Sequence, residues 1–150
     1  MNDKYYLNEA LKEARKAFNK GEVPVGAVVV LNNKILSRGY NLREKKKDIT
    51  KHAELIAIKK ASKIIKDWRL EKCVLYVTLL PCPMCASAIV QSRIEKIVVG
   101  TSTLDISNKD IVYKIFEGNN TSPKVQVIDG VQEVECRELL RIFFEKKRKK

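Results

Sequence analysis

The sequence predicts an α/β fold, a layered sheet with helices on both faces. Two observations predict it. Five short apolar or β-branched runs are interspersed with segments of helical period. The chain of 150 residues also shows no internal repeat, low-complexity linker or composition break, so it reads as one domain spanning 1–150.

Leu7, Ala10, Leu11, Ala14, Ala17 and Phe18 follow an i, i+3, i+4 rhythm, so the first element is a helix. Asn2 or Asp3 caps its start and Gly21 ends it. Val25 to Leu31 is almost continuously apolar, as a buried strand is. Asn32-Asn33 marks a turn, and Ile35 to Tyr40 returns as a hairpin partner. Residues 41–50 are polar and charged and read as a loop. A second helix starts around His52 and runs to about Ile65, with Glu54, Ala57, Ile58, Ala61 and Ile65 on one stripe. Val74 to Leu79 reads as a central strand that Pro81 stops. Pro83 suits the first turn of the next helix, where its missing N–H costs nothing; that helix reaches about Ser92. Ile97 to Gly100 is a short strand, and residues 101–108 read as a loop. Asp110 to Phe116 is a short helix, Gly118 to Lys124 a turn, Val125 to Ile128 a strand, and Gln132 to Lys147 the last helix.

An apolar fraction of 45% with 32% charged residues describes a globular chain rather than a disordered one. No run approaches the roughly 18 apolar residues of a membrane span. The start, MNDKYYLNEALKEARK, lacks an apolar signal core, so the expected compartment is the cytoplasm. A net charge of +12 favours a polyanionic partner such as nucleic acid. Lys146 to Lys150 are all basic and fit either an RNA-contacting tail or a helix end in solvent. In a reducing compartment the four cysteines are not expected to pair as disulfides; Cys73 and Cys136 read as buried small hydrophobes.

Two short segments carry chemistry: Lys51-His52-Ala53-Glu54 and Pro81-Cys82-Pro83-Met84-Cys85. Cys82 and Cys85 are three apart and share the first turn of a helix, whose positive end lowers thiol pKa values and helps present two thiolates. His52 is the sole histidine. One imidazole and two thiolates make a tetrahedral Zn2+ site with a position left for water. Two thiolates cancel the charge of Zn2+, so water there is less acidified than at a three-histidine centre and a nearby base is needed. Glu54 is the candidate, its pKa raised by an apolar setting. It would take a proton from the attacking water and return it to the substrate as the leaving group departs. An ideal helix sets residues two apart on nearly opposite faces, so His52 and Glu54 converge only at an irregular or terminal turn. Backbone N–H groups near Ala53 and Cys82 are candidates for holding the substrate. A CxxC pair alone fits a structural half-site or redox pair. A structural site would want a fourth protein ligand, and Cys73 and Cys136 both lie inside regular elements. HxE followed by PCxxC is the signature of zinc nucleobase deaminases.

On these motifs the chain resembles the bacterial tRNA-specific adenosine deaminases (TadA type) of the cytidine deaminase-like superfamily. GEVPVGAVVV (Gly21 to Val30), NLRE (Asn41 to Glu44), HAE, DWRLEKCVLYVTL (Asp67 to Leu79), PCPMC and SRIEKIVVG (Ser92 to Gly100) carry the resemblance, with Phe143-Phe144 and the basic end of the last helix. It implies a three-layer α-β-α, cytidine deaminase-like fold with a five-stranded mixed sheet. It also implies a homodimer and conversion of wobble adenosine to inosine in a tRNA anticodon stem-loop. The family asparagine that contacts the flipped nucleotide matches Asn41; pocket-lining positions match Val25 and Val23 or Pro24. Departures stand beside these matches. Leu80 occupies the position of the usual glutamate before PCxxC. Thr101 to Asp105 lacks the family's acidic-Pro-Lys-Gly pattern, and Pro123 stands near a usual histidine beside Asn119 and Asn120. The altered loop favours the alternative of a free base, nucleoside or nucleotide, guanine or cytosine in type, while charge favours RNA. A further alternative is a non-catalytic zinc-stabilised RNA-binding module.

Overall fold

The computed structural model describes residues 2–102, 106–121 and 123–148. Residues 103–105, Ser122, Lys149 and Lys150, which belong to the expected loop, turn and basic tail, lie outside the described residues.

Helix α1 (Asp3–Asn19) is capped by Asn2, whose side chain accepts from the Tyr5 N–H at 2.9 Å, and Gly21 follows its end at φ +77°. Strands β1 (Gly26–Leu31) and β2 (Lys34–Tyr40) form a hairpin. Its turn residues Asn32 and Asn33 have φ of 51° and 62°, both positive as a tight two-residue hairpin turn requires. Residues 41–50 are not all loop: Arg43–Lys46 form a single-turn helix, α2. Its side chains carry no apolar period because none of them is buried, so the pattern that betrays other helices is missing. Helix α3 (Ala53–Ile65), β3 (Val74–Leu79), α4 (Pro83–Gln91) and β4 (Lys96–Thr101) fall within a residue of expectation. Helix α5 (Ile106–Glu117) begins inside the expected 101–108 loop, four residues before Asp110. Strand β5 (Gln126–Ile128) and α6 (Glu133–Arg148) complete the chain.

The sheet order is β2-β1-β3-β4-β5. Strand β1 is antiparallel to β2 and β3, while β3, β4 and β5 are parallel, so the sheet is mixed. Alternate side chains face opposite layers. Val28, Val30, Tyr76 and Val98 pack with Tyr6, Leu7 and Leu11 of α1 and Cys136 of α6. Ala27, Val29, Leu75, Val77, Ile97 and Val99 pack with Ala57 and Ala61 of α3, Ile89 of α4 and Val112 and Phe116 of α5. Cys73 and Cys136 are both buried, as expected. Among the described residues no helix is long and apolar enough to cross a membrane.

The register decides where the site lies. Gly26 pairs with Tyr40, Ala27 with Val77, and Leu79 with Thr101. The start of β1 and the ends of β2, β3 and β4 therefore share one rim of the sheet. This is the carboxyl edge of the parallel strands, where open α/β sheets bind ligands.

Candidate active site

Each chemical segment enters a helix at this rim. His52 is the residue before α3, with extended backbone (φ −81°, ψ 151°). Cys82 holds the same position before α4 (φ −70°, ψ 168°), with Pro83 in the first turn. Neither side chain caps its own helix, so both are directed to other partners. His52 Nδ1 lies 3.8 Å from Cys82 Sγ and 3.5 Å from Cys85 Sγ. The three donor atoms lie within 4.8 Å of one another. Zinc bonds of about 2.3 Å to sulfur and 2.0 Å to nitrogen at tetrahedral angles set a sulfur–nitrogen separation of about 3.5 Å. The donor set therefore fits a tetrahedral zinc ion.

Glu54, in the first turn of α3, is 3% exposed. Burial pushes its carboxyl from the ordinary 4.5 up to about 7, against the opposing pull of its own backbone N–H and of His52. The two thiols do not shift together as the sequence suggested. Hydrogen bonding from Cys85, followed by His52, holds Cys82 down at about 4. The same interaction with Cys82, then burial, pushes Cys85 well up. Two thiols this close share one proton, a pairwise effect that a helix-end argument omits. The His52 imidazole is raised, chiefly by its hydrogen bond with Cys82.

His52, Glu54 and Cys82 lie along a cleft of about 220 Å³, which Val23, Val25, Asn41, Ala53 and Leu80 help to line. Asn41 donates through Nδ2 to the Val23 carbonyl at 3.4 Å, and its Oδ1 is buried with no hydrogen-bond partner. Of the alternatives Val23 and Pro24, the former lines the cleft. Leu80 does so too, and Ser102 represents the altered loop. Asn119 and Pro123 face other surface depressions. Arg43 and Asn108 also line the cleft and were not singled out from sequence. Arg43 carried a signal in its place two residues after Asn41; Asn108 carried none, because it arrives on a helix whose start was not recognised.

A profile of the MafB19-like deaminase family matches residues 1–148. The tRNA-specific adenosine deaminase of Bacillus subtilis (strain 168) is 45% identical over 148 residues, covering 99% of this chain and 92% of that protein. A solved structure from a study of A-to-I editing by tRNA:A34 deaminases at the wobble position of transfer RNA superposes with a TM-score of 0.81. It is 34% identical, over 91% of this chain and 99% of that one. The guanine deaminase of Bacillus subtilis superposes at 0.67 with 33% identity, over 76% of each chain. With its cytidine deaminase-like sheet and helices, the chain belongs to the MafB19-like deaminase family and is a nucleobase-deaminating enzyme.

Proposed function

We propose that residues 1–150 act as one zinc-dependent deaminase domain that converts the wobble adenosine of a tRNA anticodon stem-loop to inosine. The carrying observation is Glu54, a carboxyl buried beside a three-donor cluster and tuned to about 7. Near full-length similarity to tRNA-specific adenosine deaminases supports the choice of substrate.

His52 Nδ1 and the sulfurs of Cys82 and Cys85 hold Zn2+, with both thiols as thiolates. When bound, the ion supplies the Lewis acid that acidifies the attacking water. Glu54 removes a proton from that water as its oxygen bonds to the ring carbon bearing the amine. Glu54 then delivers a proton to the adjacent ring nitrogen and assists the departure of ammonia as the carbon–nitrogen bond breaks. Water and adenosine become inosine and ammonia. Val25 packs against the base. The partnerless Oδ1 of Asn41 accepts from the nucleotide, and the Ala53 N–H, at the open end of α3, holds the base edge. Because Glu54 is recessed, the base must leave its stack to reach it. The enzyme works in the cytoplasm as a homodimer.

A free base such as guanine is the second reading, favoured by Leu80 in the cleft wall and by the guanine deaminase likeness. The zinc-loaded protein is incubated with an anticodon stem-loop carrying wobble adenosine and, separately, with cytidine, cytosine, adenosine and guanine. Inosine forms in the RNA and ammonia is released from none of the free compounds. Ammonia from a free compound alone overturns the RNA reading.

A further inference from the structure

Two walls of the cleft come from separate segments, Val23 and Val25 just ahead of β1, and Asn41 and Arg43 after β2. One carboxylate joins them. Glu22 is 1% exposed, and both of its oxygens accept from consecutive backbone N–H groups. Oε1 accepts from Glu44 at 3.1 Å and Oε2 from Lys45 at 2.7 Å. These are first-turn donors of α2, which an isolated helix leaves unsatisfied. The residue before α2, Leu42, offers no side-chain cap. A four-residue helix cannot hold itself together by its own hydrogen bonds, so Glu22 supplies from a distance what the local sequence lacks. The same two segments are tied again where the Asn41 N–H donates to the Val25 carbonyl at 3.1 Å.

We propose that Glu22 is a positioning residue, which sets where Asn41 and Arg43 meet the substrate by clasping the start of α2. The proposal rests on the reading of this cleft as the base-binding site. Glu22 makes no hydrogen bond to His52, Cys82 or Cys85 among those described, so its effect falls on substrate contacts and not on the metal.

Glu22→Gln keeps the volume but turns an NH2 group toward one of the two N–H donors; Glu22→Ala removes both acceptors. Steady-state kinetics on the stem-loop, metal content and amide hydrogen exchange are measured for wild type, E22Q, E22A, N41A and E22A/N41A. In E22A, KM rises about tenfold while kcat stays within about twofold, with a smaller rise in E22Q. Bound zinc is unchanged, and exchange at the Glu44 and Lys45 amides accelerates. Because Glu22 acts through Asn41 and Arg43, the rise in KM that E22A adds to N41A is clearly smaller than the rise it causes alone. Faster exchange with KM unchanged, or fully additive effects in the double variant, overturns the proposal. Should the wild type act on a free base instead, that failure appears in the wild type, and the same comparison run on that base still tests Glu22.

Discussion

Glu54 lies two residues past His52, a spacing that an uninterrupted helix would split across opposite faces. The conflict disappears because His52 stands outside α3 in extended conformation while Glu54 lies in its first turn. One residue of non-helical backbone is enough to aim an imidazole and a carboxyl at the same place. Cys82 repeats the arrangement at α4, with Cys85 in its first turn. The division of labour follows from environment: Glu54 is buried and raised to about 7, a value suited to carrying protons near neutrality. Glu54→Ala leaves the three donor side chains in place, so zinc content stays at the wild-type level. Turnover falls by roughly 10²–10⁴, the usual contribution of general acid–base catalysis. Metal analysis and kcat on the same preparation check this, and wild-type turnover in the variant would remove Glu54 from the mechanism.

At the scale of elements, the site depends on how closely α3 rides over β2. Gly39 lies on β2, where a Cβ would meet the Ala53 carbonyl oxygen at 2.5 Å and the Ala57 nitrogen at 2.9 Å. Both are backbone atoms and cannot rotate away. Ser37, two residues earlier on the same strand, donates its hydroxyl to the Ala57 carbonyl at 2.7 Å and holds the helix from the same side. Gly39→Ala therefore lifts the start of α3, and with it His52 and Glu54. The expected loss of stability is about 1–3 kcal/mol, as for other overpacked contacts. It comes with weaker zinc retention during dialysis against a chelator. Thermal melts and residual metal measure the two effects. A stable G39A that holds zinc as wild type does would show that the contact does not position the ligands.

At the scale of the whole molecule, a net charge of +12 gives any RNA complex a large counterion-release component. Part of that charge sits beside the cleft. Lys20, Lys45 and Lys46 line a depression with Tyr40 and Leu42, whose chain neighbours Asn41 and Arg43 line the cleft. Stem-loop affinity should fall on the order of 10–100-fold between 50 and 200 mM salt, as expected for a handful of phosphate contacts. Replacing Lys45 and Lys46 together by Gln should flatten the log–log slope by about 1 to 2. Filter binding or fluorescence anisotropy across a salt series gives both numbers, and an unchanged slope would place the phosphate contacts elsewhere.

Much of this protein was legible in the linear chain. Strand β3 and helices α3 and α4 emerge from apolar period and punctuation, because burial of β3 on both faces and of each helix on one imposes those patterns directly. The three candidate metal donors and the candidate base Glu54 emerge from residue type and spacing, because few side chains can do that chemistry. Helix α2 and the places of Glu22 and Asn108 were not legible. Helix α2 buries no side chain, and its cap is a glutamate about twenty residues upstream. The opposite shifts of the two thiols were equally hidden, since they depend on the Cys82–Cys85 contact and on burial. Sequence by itself determined most of the elements and the candidate reacting groups, whose signals are local. Tertiary structure alone decided the shape of the cleft, because the strand register carries the ends of four strands to one rim.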